Sequence, residues 1–391
     1  MSVSIVILGD ICPEDGFPEL FASGSADSVF TGIISVLAEA DYVVANLEAP
    51  VTLSNKKLYK NSVCLKSNPS DVHVLREAGI NAVALANNHI VDYDTDGVID
   101  TFTYLSAQNI EFYGAGDVNK AAKPHFANVK GKKIGFLAFA EHEFNCAADY
   151  GIGANLWDDL DGIVSIRRAK EQCDFLIVQY HGGIEHYIYP SPQLQKICRA
   201  MAEAGADFIS CQHSHCIGTR EEWQGTEILY GQGNCIFGYI DGNDKWNIGL
   251  ICKIDISLES NTKKISYIPI VASPHGEQLA DSKLAEEVIS TLEKESEIIT
   301  NSDFIQSNWK KFCLQQADSY IPMQFGWNNN FIRANRLLKG KLVRIATRPK
   351  ARRNALNLIR CDSHREVINT LLSDEYMRTY IKEKEKSKNE L

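Results

Sequence analysis

The chain has 391 residues, of which 45% are hydrophobic and 23% are charged, and its formal net charge at pH 7 is −10. This length is ample for a full hydrophobic core and allows more than one domain. The opening residues lack the features of a secretory signal, and no apolar run is long enough to span a membrane. The 11 Cys residues are scattered without the spacing of a disulfide framework or a zinc ribbon. We therefore expect free thiols in a reducing compartment and a cytoplasmic protein, with peripheral contact at the inner face of the membrane left open.

Five short apolar runs each lead to residues that bind metals. They are 3–8 before Asp10, 42–45 before Asn46 and Glu48, 82–86 before Asn88 and His89, 175–178 before His181, and 207–211 before His213 and His215. Continuous apolar runs of this kind predict strands that are buried on both faces, as in a layered α/β sheet. Ligands of such sheets bind beyond the carboxyl ends of the strands. We therefore predict that five strands bring these side chains to one edge.

The segments around the five runs predict alternating helices and strands. Helical spacing of apolar residues occurs over 31–40, 71–78 and 97–108. Residues 132–140 predict a further strand, followed directly by Glu141, His142 and Glu143, which form either a solvated loop or a substrate contact. After the His pair come successive strands over 226–230, 248–256 and 265–271 without long helices between them, a pattern that is typical of a second, more antiparallel sheet.

The types of these side chains indicate a catalytic metal site. Carboxylates and an amide oxygen suit hard cations, whereas imidazoles suit Zn, Fe or Mn. One Asp, one Glu, one Asn and three His from these strand ends make six protein donors, which are too many for one tetrahedral ion that keeps an open position. They suffice for two ions that share a bridging carboxylate, which is the arrangement that clamps both oxygens of a phosphoryl displacement.

At these motifs the chain resembles the CapA-type capsule-synthesis (poly-γ-glutamate biosynthesis) family, which belongs to the calcineurin-like metallophosphoesterase superfamily. The matching segments are Gly9-Asp10, Asn46-Leu47-Glu48, Asn87-Asn88-His89 with Asp92-Tyr93, His181-Gly182-Gly183 with Glu185, and His213-Ser214-His215. The likeness continues through Gly114-Ala115-Gly116, Ala204-Gly205-Ala206-Asp207 and Tyr230-Gly231-Gln232-Gly233-Asn234, and it covers about residues 1–275. It implies a layered metallophosphoesterase-like β-sandwich flanked by helices.

The resemblance also implies roles for individual residues. The metal ligands would be Asp10, Glu48, Asn88, His181, His213 and His215. Glu48 would bridge two divalent ions, Mn, Fe or Zn, and His89 would face the substrate. Asp92 could orient the His89 ring, as carboxylates commonly orient imidazoles. Glu185 and Asn234 are candidate substrate contacts.

The chain departs from the superfamily pattern at one place, where CapA-type members generally depart too, and from the family pattern at two. Cys12 stands where many metallophosphoesterases have a His. Its thiolate is soft enough to complete the shell of the first ion, and the alternative is a buried structural Cys. The family's usual Gly-His-Pro-His pattern is here Gln212-His213-Ser214-His215, and its usual His-Trp-Gly pattern is here His181-Gly182-Gly183. These changes keep the ligands but alter the walls of the cleft, so the family's substrate does not transfer directly.

The favoured function is metal-assisted hydrolysis by a dinuclear phosphoesterase in capsule or exopolysaccharide biosynthesis, with an anionic small molecule or polymer as the substrate. His89 would hydrogen-bond the reacting group and protonate the leaving oxygen. Two alternatives stay open. The chain could hydrolyse an amide bond on the same metals, or it could be a non-catalytic component of a capsule assembly system.

The C-terminal part has a different character. We predict a metallophosphoesterase-like domain over 1–278 and a helical, partly basic extension over 279–391. Residues 331–360 hold ten Lys and Arg and no Asp or Glu, so the rest of the chain carries −20. Such a block can recruit a membrane surface, a lipid-linked phosphate, an acidic polymer or a capsule-assembly partner. The alternative is a solvated face that is paired with the acidic core. Nucleic acid is disfavoured, because no reader motif accompanies the charge.

Overall fold

A computed structural model describes residues 2–13, 17–60, 62–260, 262–324, 326 and 329–372. The chain divides into two compact units, one that ends at Ser307 and one that begins at Asn308. The boundary between residues 278 and 279 stays a prediction. Residues 373–391, the end of the predicted extension, lie outside the described residues. Among the residues that are described, no helix combines the length and the apolar composition needed to cross a bilayer. The cytoplasmic location stays a prediction.

The first unit has a mixed α/β fold, as expected. Its strands are β1 (Ser2–Ile11), β2 (Tyr42–Leu47), β3 (Ala82–Ala84), β4 (Glu111–Tyr113), β5 (Ala115–Gly116), β6 (His125–Val129), β7 (Lys132–Ala140), β8 (Gly153–Ala154), β9 (Phe175–His181), β10 (Phe208–Gln212), β11 (Arg220–Trp223), β12 (Thr226–Leu229), β13 (Asn234–Ile236), β14 (Ile248–Ser257), β15 (Lys263–Ser273) and β16 (Gly276–Leu279).

Helices alternate with the strands and then continue to the end of the described chain. They are α1 (Pro18–Ala22), α2 (Ala26–Val29), α3 (Ile34–Ala38), α4 (Pro69–Glu77), α5 (Asp94–Ala107), α6 (Val118–Ala121), α7 (Ala147–Tyr150), α8 (Asp161–Lys170), α9 (Pro192–Glu203), α10 (Asp244–Asn247), α11 (Ser282–Ile298), α12 (Ser302–Gln324), α13 (Asn329–Leu337), α14 (Lys341–Ala346), α15 (Pro349–Arg360) and α16 (Asp362–Leu372). The helices predicted over 31–40, 71–78 and 97–108 correspond to α3, α4 and α5.

Two sheets organise the first unit. The larger has the order β16-β15-β14-β1-β2-β3-β4, with β13 also paired to β1. Within it, β1 to β4 run parallel, and β14 to β16 add an antiparallel edge. The smaller has the order β11-β12-β10-β9-β7-β6, and its four central strands β12, β10, β9 and β7 are parallel.

This topology corrects two expectations. The strands that follow the His pair do not form a sheet of their own, because β12 pairs in parallel with β10 whereas β14 and β15 extend the sheet of β1. The five ligand-bearing strands also do not share one sheet, since β1, β2 and β3 belong to the larger sheet and β9 and β10 to the smaller. A strand that is buried on both faces has the same continuous apolar sequence in either sheet, so the sequence pattern could not show which strand belongs to which sheet.

The smaller sheet is apolar on both faces, which accounts for its continuous apolar runs. Along β7, Ile134 and Phe136 join the core cluster that also holds residues of β1 and β2. Leu137 and Phe139, which point to the opposite face of the strand, join a second cluster with side chains of α9. Helix α9 begins with Pro at its first position and with the Ser191 hydroxyl accepting a hydrogen bond from Leu194 N at 3.1 Å. The period-2 alternation of β7 thus places one core on each side of the sheet.

Candidate metal centre

Strand register in the larger sheet brings the first carboxylates together. Asp10 lies near the end of β1, opposite Asn46 of β2 and Asn234 of β13. Gly9 permits this approach, because a Cβ at that position would lie 2.3 Å from Gly233 O. Glu48 follows β2 directly, so both carboxylates lie at the carboxyl ends of neighbouring parallel strands.

The imidazoles come from the smaller sheet. His181 is the last residue of β9 and pairs with Gln212 of β10. His213 and His215 then have left-handed backbone, with φ of 87° and 50°. This conformation is costly for residues other than Gly, and such strain is concentrated at functional sites. Two His from one short loop thereby reach the same centre.

These side chains form two overlapping groups of metal-ligating atoms. One contains Asp10, Glu48 and His215, and the other contains Glu48, His181 and His213. Within each group the ligand atoms lie within 4.8 Å of one another. Glu48 belongs to both, with Oε1 at 3.4 Å from His181 Nε2 and 3.9 Å from His215 Nε2. This is the placement that a carboxylate bridging two ions requires.

The chemistry of Glu48 fits a pair of cations. Its side chain is completely buried, and neither oxygen has a hydrogen-bond partner among the described residues. Burial, followed by the charge of Asp10, raises the pKa of Glu48 well above its ordinary value. A buried carboxylate without donors is costly, and a bound cation would remove that cost by supplying the missing positive charge.

His213 gives a second indication of the same kind. Its Nδ1 is buried and has no hydrogen-bond partner among the described residues. Burial, reinforced by His181, lowers the pKa of His213 well below its ordinary value. The neutral imidazole is the form that binds metals, so the residues present fit two divalent ions.

Hydrogen bonds fix the orientation of several of these donors. Asn234 Nδ2 donates to Trp246 O at 3.0 Å, so Asn234 Oδ1 is the atom that accepts from His215 Nδ1 at 2.9 Å. That bond leaves His215 Nε2 with a lone pair, the usual arrangement for a metal-binding His. Asn46 Nδ2 donates to Asp10 Oδ1 at 2.7 Å. Both atoms of the Asn234 amide already have partners within the protein. Its role in substrate binding stays a prediction.

The structure also brings the sixth predicted ligand to the centre. Asn88 Oδ1 lies 3.0 Å from His181 Nε2. Asn87, its neighbour, is turned into the core, where its Nδ2 donates to Leu47 O at 2.8 Å. The side chains of two successive Asn residues therefore have different surroundings, and the one that lies beside His181 is Asn88.

His89 lies at the edge of the two groups. Its Nδ1 donates to Asp92 Oδ2 at 2.7 Å, which leaves Nε2 at 4.0 Å from Glu48 Oε1. Burial lowers the pKa of His89, and the contact with Asp92 opposes that shift. Asp92 also accepts from Leu65 N at 2.7 Å, and its other oxygen contacts Lys60 Nζ. The predicted pairing of His89 with Asp92 is therefore present, and Lys60 contacts the oxygen of Asp92 that His89 does not use.

Comparison with known proteins identifies the family. Residues 4–239, which contain both groups, match the family described as "Bacterial capsule synthesis protein PGA_cap". The chain belongs to this family. The resemblance to CapA-type proteins, and through them to the metallophosphoesterase-like superfamily, is thereby confirmed.

Two curated relatives of the PGA_cap family member described here come from Bacillus. The chain is 32% identical over 240 residues to the PGA biosynthesis protein CapA of Bacillus subtilis (strain 168), covering 60% of this chain and 63% of that protein. It is 29% identical over 252 residues to the capsule biosynthesis protein CapA of Bacillus anthracis, covering 60% of each. The matched part is thus less than two thirds of either relative. A crystal structure of a hypothetical protein from Thermus thermophilus covers 69% of this chain and 100% of its own at 15% identity, with a TM-score of 0.45.

Sequence reasoning missed Lys60 and left open whether Glu143 lies in a solvated loop or contacts substrate. Lys60 lies between β2 and α4, where the described residues form no helix or strand and so give no periodic signal, yet its side chain is only 1% exposed. Glu143 Oε1 lies 3.9 Å from His213 Nε2, so its loop borders the centre. The Glu141-His142-Glu143 triplet after β7 was a signal for the second of these, but nothing in the PGA_cap motifs pointed to the first.

Cys12 and Glu185 have different surroundings from the six predicted ligands. Cys12 is buried in a small apolar cluster with Ala49, Leu65 and Phe237. It belongs to neither group of ligand atoms among the described residues. Glu185 is exposed, and its charge contributes to the raised pKa of Glu48 after burial and Asp10. Their roles as an additional ligand and as a substrate contact stay predictions.

A third group of metal-ligating atoms lies outside this centre. It consists of His142, Cys146 and Asp149. His142 and Asp149 are exposed, and His142 Nε2 already lies 3.0 Å from Asp149 Oδ2 in a hydrogen bond. These two side chains therefore satisfy each other without an ion, in contrast to Glu48.

Proposed function

We propose that this chain is a metal-dependent hydrolase, a dinuclear phosphoesterase that acts in the biosynthesis of a capsule or of a poly-γ-glutamate-like polymer. The single observation that supports this most strongly is Glu48. Its two buried oxygens have no hydrogen-bond partner among the described residues, and it is shared by two groups of ligand atoms. The core cluster that holds residues of both sheets supports the layered sandwich of metallophosphoesterases as the fold.

The proposed ligand sets follow from the two groups. Asp10, Glu48 and His215 would hold one ion, and Glu48, Asn88, His181 and His213 would hold the other. When bound, two divalent ions such as Mn, Fe or Zn supply Lewis acidity that activates water and stabilises the charge that develops on a phosphoryl group.

The chain's own residues would handle the leaving group. Asp92 accepts from His89 Nδ1, which fixes the ring and leaves Nε2 directed toward the centre at 4.0 Å from Glu48 Oε1. As the imidazolium, which carries a proton on Nε2 as well as on Nδ1, His89 would donate a hydrogen bond to the phosphoryl oxygens and transfer the Nε2 proton to the leaving oxygen, becoming neutral. Lys60 and Leu65 hold Asp92 in place through its two oxygens.

The biological setting is proposed from the relatives. The names of the two Bacillus proteins concern PGA biosynthesis and capsule biosynthesis. The chain spans less than two thirds of either, so their activities and partners enter here only as a proposal. The altered walls at Gly182 and Ser214 leave the natural substrate of this member to be determined by assay.

The test compares hydrolysis of an aryl phosphate, an aryl phosphodiester and poly-γ-glutamate in Mn²⁺ and after chelation. We expect phosphate ester hydrolysis that requires metal and is lost in Glu48→Gln. An exposed carboxylate changed in the same way, Glu39→Gln, should retain full activity. Metal content and thermal stability of each variant give readouts that do not depend on choosing the right substrate.

The outcomes separate the alternatives. Metal-dependent cleavage of the polymer alone would favour the amide hydrolase. A loaded protein that hydrolyses none of the three would favour a non-catalytic component of the capsule assembly system. Activity that survives both chelation and Glu48→Gln would refute the proposed site.

A further inference from the structure

The second unit exposes apolar side chains on helices that carry the basic block. Leu337, at the end of α13, is 84% exposed, and Ile345 of α14 is more than half exposed. Leu356 and Ile359 of α15 are also exposed. A helical unit that follows its sequence pattern normally turns such side chains inward, so their exposure on neighbouring basic helices needs an explanation.

Leu337 is the last residue of α13 and directly precedes the turn to α14. Lys339 and Gly340 have left-handed backbone, and Gly340 N donates to Asn335 O at 2.9 Å. The buried Asn335 also accepts from Val343 N at 3.1 Å through its side chain. These bonds close the turn, so the exposed Leu337 lies at a helix end that is held by hydrogen bonds and is not frayed.

Helix α15 combines apolar and basic residues on one face. Leu356 and Ile359 are three positions apart, and Arg352 lies four positions before Leu356, so the three share a face. Arg353 and Arg360 lie on the side of this face. An apolar stripe flanked by Arg is the pattern of helices that lie in the plane of a membrane interface.

The described part of the second unit offers the basic residues little neutralising charge. None of the ten Lys and Arg of 331–360 forms a salt bridge with a described carboxylate of residues 308–372, where the pair Arg365–Asp362 lies outside the block. Arg344 donates instead to the backbone at Lys339 O at 3.0 Å. Among the residues that the structure describes in this unit, the block therefore presents positive charge without an ion-pair partner, beside exposed apolar side chains.

We propose that α13, α14 and α15 form a peripheral binding surface for an anionic lipid bilayer. The positive charge matches anionic headgroups, and the exposed Leu and Ile side chains match the boundary between headgroups and acyl chains. An acidic polymer would pair with the charge but would leave Leu337, Leu356 and Ile359 in water. This surface is independent of the metal centre, so it can be tested whether or not the chain is a hydrolase.

The experiment measures co-sedimentation of the full chain with phosphatidylglycerol-rich vesicles and with phosphatidylcholine vesicles at low and high salt. We expect binding to the anionic vesicles alone, and weakening by salt because exposed charges are screened. The variant Arg333→Glu/Arg336→Glu/Lys339→Glu should bind at least about a hundredfold more weakly, since each basic residue near the surface contributes about fivefold. The control Lys196→Glu/Lys283→Glu/Lys294→Glu makes the same charge change at exposed positions of the first unit and should bind like the wild type.

A second variant keeps every charge and so tests the surface even if the triple variant fails to fold. Leu337→Ser should weaken binding about tenfold, because one buried Leu side chain is lost from the interface. Its control, Leu53→Ser, removes an exposed Leu of the first unit and should have no effect. Failure of the wild type to bind anionic vesicles at low salt would overturn the proposal. So would capture of poly-γ-glutamate without vesicle binding, equal weakening by the charge control, or unchanged binding of Leu337→Ser.

Discussion

Replacing Lys60 by Met should cost the protein a large share of its stability. The Lys60 side chain is 1% exposed and its Nζ contacts Asp92, which is completely buried. In Lys60→Met the carboxylate would keep its bonds from Leu65 N and His89 Nδ1 but lose its ionic partner. Removing one partner of a buried ion pair typically costs about 3–5 kcal/mol, because the remaining charge stays buried and uncompensated.

The matched control is Lys56→Met in the same segment. Lys56 Nζ lies 2.6 Å from Asp94 Oδ2, but the Lys56 side chain is 66% exposed. Water replaces an exposed partner readily, so we expect a change too small to resolve. Urea unfolding of the chelated proteins, followed by circular dichroism, would give the midpoint and the slope m. A midpoint that falls at constant m reports lost stability and not a changed unfolded state.

A double-mutant cycle separates the pair from its surroundings. Asp92→Asn alone should also destabilise, because it leaves the Lys60 ammonium buried without a partner. Lys60→Met/Asp92→Asn should lose less than the sum of the single variants, with a coupling of about 0.5–3 kcal/mol. The reasoning is refuted if Lys60→Met costs no more than Lys56→Met, or if the two single losses simply add.

Three further predictions concern the centre and one buried carboxyl group. After reconstitution, elemental analysis should find about two transition-metal ions per chain. Glu48→Ala or His213→Ala should lower this number, whereas the control His142→Ala should not. A wild type that holds one ion or none after reconstitution would contradict the dinuclear site. His89→Ala should keep its metal content and lose about a hundredfold or more in turnover of whichever ester is hydrolysed, the usual scale of acid–base help, whereas parallel loss of metal would make His89 a ligand. Glu277 is buried, neither of its oxygens has a hydrogen-bond partner among the described residues, and burial raises its pKa well above the ordinary value. The folded state therefore binds this proton more tightly, and stability falls as pH rises above the unfolded pKa of about 4.3. Glu277→Gln should raise the Tm relative to the wild type by an amount that grows as the pH rises from the unfolded pKa toward the raised folded pKa of Glu277. A Tm difference that does not change with pH would show that the ionisation of Glu277 is not the cause.

Much of the centre could be predicted because it lies where strands end. Asp10, Glu48 and His181 each close an apolar run, and a strand buried on both faces leaves such a run as a local signal. The polar residue that follows is then carried to the strand end whatever the rest of the fold does. The local sequence pattern was therefore enough to place these residues at the ends of their strands.

The division into two sheets could not be predicted in the same way. Whether β14 pairs with β12 or with β1 depends on contacts between residues far apart in sequence, such as Ile5 with Ile254. Both pairings bury the same alternating side chains, so composition does not distinguish them. Lys60 was hidden for a related reason, since a Lys in an irregular segment is usually solvated and only the tertiary fold reveals that this one lies against Asp92.

The two-sheet arrangement has a consequence for the link between metal binding and folding. Asp10 and Glu48 come from the larger sheet, whereas His181, His213 and His215 come from the smaller. Each proposed ion would therefore be held by both sheets, and it would bind only when they are correctly placed against each other. Without ions, the same geometry leaves the carboxylate of Glu48 buried with no donor among the described residues. Binding free energy at such a site adds to folding free energy, because the unfolded chain has no preformed site. The cost of burying Glu48 and the proposed affinity for two cations thus have one structural origin, the meeting of the strand ends of the two sheets.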